Sequence, residues 1–471
     1  MLKQKILLTT ILSSVLIGGC SNSNNTPSKV DQMLGNFPSS GVYLPYTVLR
    51  SDLTDAKTQQ TFEIRNGGYG SSMTADPTNP TRFYALTDRG PNAKYTGSLG
   101  KGKIFPTPDY TPRIGLFEVS SSGGISLIKD ILLKRPDGTP ITGLPNSSAL
   151  GGTGETPYDA SHNPIVVDAS KPYDASTNPI KLDDYGLDGE GLAVMNDNTF
   201  WVSDEYGPHM VHFNAEGIEI DRINAFANDT RTSIKLPAEF SKRRANRGME
   251  GIAITPDQST LVGIMQSTMY NPSSAVKALN IVRIVTVNLA TKEIGQYLYR
   301  QDKAQNSNSE ITALSATEFL VIERDGSFLY GGPKGAANAS PAAQKKVYRI
   351  DLSTGTNLET VSLASNMVQD ANLGLTINSK TLEEVVLAQD WAGLSSAGIS
   401  PVKKSLVVDM VAEVSYPHDK MEGLWVIDKN HLGVLNDDDF ATWATGGLLE
   451  QKMLDTNTID GNHLYIVNVN L

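Results

Sequence analysis

From about residue 60 to the C-terminus the chain is written in short apolar runs of five to eight residues, punctuated by Asn, Asp, Gly and Pro. Turn clusters such as Asn196-Asp197-Asn198, Pro256-Asp257 and Ser122-Gly123-Gly124 separate the runs, and the spacing predicts strands rather than helices. Four segments repeat one pattern: a Glu, an apolar strand, a polar turn, a second apolar strand and a closing polar or acidic cluster. They begin at Glu190, Glu250, Glu310 and Glu422 and end at Asp204-Glu205, Gln266, Glu323-Arg324-Asp325 and Asn436-Asp437-Asp438, with offsets of 14, 16, 13 and 14 residues to the start of each cluster. A fifth copy, Gly67-Gly68-Tyr69 to Asp88-Arg89-Gly90, lacks the Glu. Two further strands follow most copies, and four antiparallel strands per unit make a propeller blade.

The four Glu residues are spaced 60, 60 and 112 residues apart. The last interval holds either a degenerate blade or an insertion around Leu375 to Gly393. The expected fold is therefore an all-β propeller of six blades, within a range of five to seven. Its ring is expected to close by pairing His463–Val469 with the strand near Thr61–Ile64. Residues 136–184 are rich in Pro, Gly, Asp and Asn and contain a near-duplicate, 157–165 and 172–180. They form an insertion that reads as a duplicated surface loop, with a lid over the site as the competing reading.

The N-terminus is different. Lys3 and Lys5 precede an apolar run from Ile6 to Ile17, too short to span a bilayer but of signal-peptide length. Leu16-Ile17-Gly18-Gly19-Cys20 resembles a bacterial lipobox, which makes residues 1–19 a leader and Cys20, the only cysteine, the lipidated first residue of the mature chain. Residues 20–40, poor in apolar positions, read as a flexible tether. Ser21 rather than Asp after the lipidated cysteine points to the outer membrane, facing the periplasm, with the membrane engaged through the lipid anchor only.

Fifty-one acidic residues against 40 basic ones give the 471-residue chain a formal charge of −11, which argues against nucleic acid as a partner. In a propeller, equivalent positions of successive blades converge at one mouth of the axial channel. Glu190, Glu250, Glu310 and Glu422 are thus expected at one level, and Asp88, Asp204, Glu205, Glu323, Asp325, Asp437 and Asp438 at another. Crowded carboxylates are tolerable when a cation sits among them, and oxygen-only ligands favour Ca²⁺, with Mg²⁺ second. Glu190, Glu250, Glu310, Glu422, Asp325 and Asp437 are the candidate metal ligands. Arg89, Arg247 and Arg324 lie beside the acids and suit planar, bidentate recognition of phosphate. With Asp88, Asp204, Glu205 and Glu323 they make up the candidate catalytic set, and His209 is a candidate general acid. The competing reading leaves the repeated Glu residues as caps on backbone amides at blade junctions. No Gly-x-Ser-x-Gly elbow, His-Glu-x-x-His helix or P-loop is present.

Gly189–Val194 with Phe200–Pro208, Arg247–Ala253, Val321–Asp325, Met421–Leu424 and Asn436–Phe440 together resemble the phytase-like bacterial family described as having esterase-like activity of phytase. The resemblance implies a β-propeller, an exported location and hydrolysis of phosphoesters or esters. Asp438 stands where the family pattern leads one to expect Asn. The first expectation is a lipid-anchored, metal-dependent phosphoesterase for a small phosphorylated substrate. The alternatives are a Ca-dependent lactonase or carboxylic ester hydrolase, and a non-catalytic envelope propeller that binds proteins or ligands.

Overall fold

The computed structural model describes residues 27–471, so the leader and Cys20 lie outside the described residues. Five antiparallel sheets repeat one four-strand order. Sheet I contains Ser72–Ala75, Arg82–Leu86, Arg113–Val119 and Ile125–Leu132; sheet II contains Gly189–Val194, Phe200–Asp204, Met210–Phe213 and Glu219–Asn224, with Ile234–Lys235 added in parallel at its edge. Sheet III contains Met249–Ile254, Thr260–Met265, Ile281–Asn288 and Ile294–Arg300, and sheet IV contains Ser307–Ala313, Glu318–Arg324, Lys345–Asp351 and Lys403–Asp409. Sheet V takes Gly423–Asp428, His431–Leu435 and His463–Asn468 from the C-terminal end and Val42–Tyr43 from the N-terminal end.

No sheet curls onto itself. The first strands of sheets I to V pack against one another in cyclic order, I on II through to V on I, which is the architecture of a β-propeller. The apolar core fills the clefts between sheets. Leu86, Leu192 and Val202 join sheets I and II; Ile252, Ile264, Ile311 and Val321 continue through III and IV; Ile322, Leu424 and Val434 join IV and V; Met73, Phe83 and Trp425 close V onto I. The strands carry buried residues on both faces because each sheet is covered by a neighbour on either side.

Three expectations are corrected here. Five sheets of this kind, not six, occur among the described residues, because the interval from 310 to 422 is lengthened inside one sheet. Residues 356–402, with their own hairpin and the helix Leu382–Ser396, lie between the third and fourth strands of sheet IV. Their buried face, including Leu382, Val386 and Trp391, packs on Ile281 and Leu298 of sheet III. His463–Asn468 pairs with His431–Leu435 and with Val42–Tyr43, whereas Thr61–Asn66 pairs with Thr47–Thr54 in a separate hairpin. The tether expected over 20–40 is interrupted by an α-helix, Lys29–Asn36, whose Ser28–Asp31 capping box starts it and whose buried Met33 seats it among Leu44, Phe83 and Phe117.

Four excursions roof one end of the ring. These are the hairpin Ala93–Gly97/Gly100–Ile104 from sheet I, residues 136–184 between sheets I and II, the hairpin Thr442–Thr445/Leu448–Gln451 from sheet V, and the N-terminal hairpin that packs Phe62 and Ile64 on Phe440 and Leu449. Within 136–184, Thr156–Tyr158 pairs in parallel with Gly102–Ile104. Each copy of the duplication forms the same turn, Asp159 accepting from the Ser161 amide and Asp174 from the Ser176 amide. The second copy is largely exposed, while Thr153–Glu155 lines a cavity beside the mouth, where Glu155 meets Arg89.

Candidate functional site

Strand register defines which residues of the five sheets are equivalent. In sheet II Gly189 opposes Asp204 and Gly191 opposes Ser203, which leaves Glu190 in a β-bulge. Met249 opposes Met265 and Gly251 opposes Ile264 in sheet III, so Glu250 occupies the same bulge. Gly423 opposes Leu435 in sheet V and Ser72 opposes Leu86 in sheet I, which puts Glu422 and Ser71 at this level. In sheet IV, however, Asn308 opposes Glu323 and Glu310 opposes Ile322, so the bulge residue is Ser309. The same registers align Asp88, Glu205, Gln266, Arg324 and Asp437 at or just beyond the ends of the second strands. Bulges re-aim side chains out of the ladder, and here they aim them at the axis.

Asp88, Arg89, Glu190, Glu205, Arg247, Glu250, Gln266 and Arg324 all line one cavity of about 550 Å³ at the roofed end of the ring. On the side of sheets I and II, Asp88, Asp188 and Glu190 are buried and offer carboxylate oxygens within 4.8 Å of one another. Burial first, and then the neighbouring negative charges, push the Asp88, Glu190 and Glu205 carboxyls well above their ordinary range. Arg89 is placed among them, at 2.5 Å from Asp188, 3.4 Å from Glu155 and 3.6 Å from Glu205. A buried, oxygen-only trio with excess negative charge has the donor chemistry of a hard divalent cation site. Lys103, on the cavity wall, is lowered to about 8 by burial and by the charge of Arg89.

The side of sheets IV and V carries its own cations. Arg324 contacts Glu422, lies 4.0 Å from Glu250 and donates to Ser309 Oγ at 3.0 Å. Lys420 sits 2.5 Å from Asp437 and 2.7 Å from Asp439, while Lys452 sits 2.7 Å from Asp439 and 3.0 Å from Asp419. These lysines hold the Asp439 carboxyl well below its ordinary range despite its burial. Asp439, Phe440 and Ala441 form a left-handed turn, with φ of 50°, 59° and 56°. Gly68 makes that turn possible, since a Cβ there would stand 2.5 Å from the Phe440 ring. Glu250 lies between the two sides; burial and the charge of Glu422 raise it to about 8.

Arg247 stands out from the other arginines. It enters the cavity from the loop before sheet III, its buried Nη1 has no hydrogen-bond partner, and it makes no ion pair among the described residues.

Five expected site residues are placed elsewhere. Asp204 accepts from the Asp188 amide at 2.8 Å and the Gly207 amide at 2.8 Å, fixing the turn after the strand. Burial raises it to about 7. His209 is fully buried against Phe226, 3.1 Å from Asn224, and burial lowers its pKa well below the usual histidine range, so it is no general acid for the cavity. Glu323 accepts from Tyr299, the Asp302 amide, Asn306 and Lys404. Asp325 pairs with Lys345 at 2.6 Å. Glu310 accepts from Ser72 and from the Ile311 amide at 2.9 Å, the amide-capping alternative for that one copy. Sequence reasoning missed Asp188, Lys103 and Lys420, and had Gln266 only as the close of a repeat. Asp188 had a signal: its spacing of two from Glu190 at the start of an extended segment, next to the repeat.

Residues 64–440 match the model of the Phytase-like family, described as "Esterase-like activity of phytase". An "Uncharacterized secreted protein" of Arthroderma benhamiae is 25% identical over 377 residues, covering 69% of this chain and 70% of that protein. Among solved structures, the aldose sugar dehydrogenase of Streptomyces coelicolor is similar at 9% identity and a TM-score of 0.29, covering 91% of this chain and 99% of its own. Virginiamycin B lyase from Staphylococcus aureus gives 11% identity and a TM-score of 0.29, with 85% and 96% covered.

Proposed function

Because the chain belongs to the phytase-like family, we propose that its roofed cavity hydrolyses phosphoesters of a small anionic substrate in a divalent-metal-dependent reaction. The observation that carries the proposal is the unpartnered guanidinium of Arg247 in the same cavity as the carboxylate trio Asp88, Asp188 and Glu190. The trio would hold Ca²⁺, or Mg²⁺, and such an ion when bound neutralises phosphoryl charge and makes a coordinated water acidic. Arg247 offers planar, paired donors to the non-bridging oxygens and fixes the ester's orientation. Arg89 is committed to Asp188 and Glu205, and Arg324 to Glu422, so both act by holding carboxylates in place. Glu250, protonated below about 8, lines the cavity with Oε2 free of hydrogen bonds and can pass its proton to the leaving oxygen.

The lipobox-like sequence at Cys20 and the secreted name of the fungal relative support an extracytoplasmic, lipid-anchored protein at the outer membrane. Among the described residues no helix is long and apolar enough to cross a membrane. Purified protein without residues 1–20 should release phosphate from phosphomonoesters, lose that activity in EDTA and regain it with Ca²⁺. Turnover of lactones or acyl esters alone would replace the phosphoesterase by the esterase reading. Inactivity throughout, with melting indifferent to EDTA, would leave a binding propeller.

A further inference from the structure

Between the N-terminal segment and the loop before the last strand of sheet V lies a pocket of about 420 Å³, which shares no lining residue with the mouth cavity. Sites for small molecules typically measure roughly 300–1,000 Å³. Leu44 pins the segment: it is buried, and its amide donates to the Asn462 carbonyl at 2.9 Å. Tyr43 and Tyr46, on either side of it, line the pocket and stay 45% and 46% exposed, whereas Tyr69, Tyr206 and Tyr299 are fully buried. Each of the two exposed rings is braced on one face. Tyr43 stacks on His463 with centroids 4.1 Å apart, and the Arg65 guanidinium lies 4.2 Å from the centre of Tyr46. Braced, half-exposed rings offer a preformed apolar platform that loses little side-chain freedom on binding.

Polar groups without protein partners surround the platform. Asp438 is 1% exposed; its Oδ1 accepts from the Phe440 amide at 3.0 Å, but its Oδ2 accepts no hydrogen bond among the described residues. A Cβ on Gly67 would stand 2.9 Å from that Oδ2, so the oxygen faces the glycine floor of the pocket. Arg65 donates from Nε to Glu63 at 3.3 Å, and among the described residues neither Nη group has an acceptor. The exposed Asn457 side chain makes no hydrogen bond among them either. This mixture selects the ligand. An anion would gain from Arg65 but meet Asp438, and an amine would meet the reverse. A hydroxyl both donates and accepts, so it suits Arg65, Asn457 and Asp438 alike. Hydroxyls set around a compact apolar ring face are the chemistry of a sugar.

We propose that this pocket binds a saccharide, one pyranose ring laying its C–H face on Tyr46 while its hydroxyls reach Asp438, Asn457 and Arg65. The site is independent of the hydrolase reading, since no residue lining the mouth takes part.

Saturation-transfer NMR and calorimetry on the protein lacking residues 1–20 test it. The probes are the methyl pyranosides of glucose, galactose, mannose and N-acetylglucosamine, with sorbitol, which has hydroxyls but no ring, as the control. At least one pyranoside is expected to bind with a Kd in the millimolar range, saturation being strongest on the C–H protons of one ring face, and sorbitol is expected not to bind. Tyr46→Ala should weaken that sugar about tenfold, as loss of a stacking contact implies, and Tyr46→Phe should retain it. Asn457→Ala should weaken it about threefold, the size of one hydrogen bond. That variant, on an exposed loop, keeps the test valid if Tyr46→Ala lowers the melting temperature. No binding by any of the four sugars, equal binding of sorbitol, or an affinity unchanged in both Tyr46→Ala and Asn457→Ala overturns the site. Sugar binding abolished by Arg247→Ala would place the ligand in the mouth and overturns it as well.

Discussion

The two sides of the mouth solve the same electrostatic problem in opposite ways. On the side of sheets IV and V, Glu422, Asp437 and Asp439 each have a guanidinium or ammonium partner. On the side of sheets I and II, Asp188 and Glu205 pair with Arg89, while Asp88 and Glu190 form no ion pair among the described residues. Charge brought by the chain itself fixes geometry once, at folding. A deficit left open makes the pocket responsive to what arrives from solution, and it is that side which has the donor set for a metal ion. Arg247, set near both and ion-paired with neither, is the group the proposed function assigns to the substrate.

The comparison can be broken at its strongest point first. Asp188→Asn should cut kcat/KM for a phosphomonoester by more than about 100-fold and abolish the rise in melting temperature on adding Ca²⁺, since it removes a central oxygen of the trio. An unchanged Ca²⁺ response in that variant would place the ion elsewhere. On the opposite side, Arg324→Met leaves Glu422 buried without its counter-charge and should lower stability by roughly 3–5 kcal/mol in urea unfolding. Pairing it with Glu422→Gln should recover most of the loss, while the Ca²⁺-induced stabilisation persists in both variants.

A third test uses pH. Glu250 ionises near 4.5 when unfolded and at about 8 when folded, so between these values the folded chain binds the extra proton and stability falls as pH rises. In EDTA, melting should weaken between pH 5 and 8 by about 2 kcal/mol, a figure kept below the full shift because the group interacts with neighbouring charges. Glu250→Gln should flatten the slope, and a slope unchanged in that variant would assign it to other carboxylates. The smallest effect concerns the left-handed turn. Ala441→Gly removes a Cβ from a residue at φ 56° and should stabilise the protein by about 0.5–1 kcal/mol, with activity unaltered.

Repetition in the sequence made the sheets, their first two strands and the convergence of Glu190, Glu250 and Glu422 legible, because strand periodicity and turn residues are local properties. Glu310 shows where legibility ended. Its offset of 13 to the closing cluster was one residue short of two other copies, and in a ladder one residue decides which face a side chain takes. The same argument separates Asp204 from Glu205, adjacent in sequence yet turned respectively to backbone amides and to the cavity. The count of six failed because an insertion between strands three and four of sheet IV has nearly the length of a blade. Lys103, on a roof hairpin, and Lys420, in the loop before sheet V, are positioned over the mouth by tertiary packing, which no local pattern encodes.

Sheet V is assembled from segments far apart in the polypeptide, Val42–Tyr43 lying against His463–Asn468. During synthesis the other four sheets can form as they emerge, but the circle stays gapped until residues 463–468 have followed and paired. Until then the apolar flanks of sheets I and IV that meet sheet V in the finished molecule have no cover. A protein fastened in this manner gains from being threaded across a membrane unfolded and allowed to complete itself on the far side, and any truncated product should betray itself by clumping rather than by folding to a smaller ring.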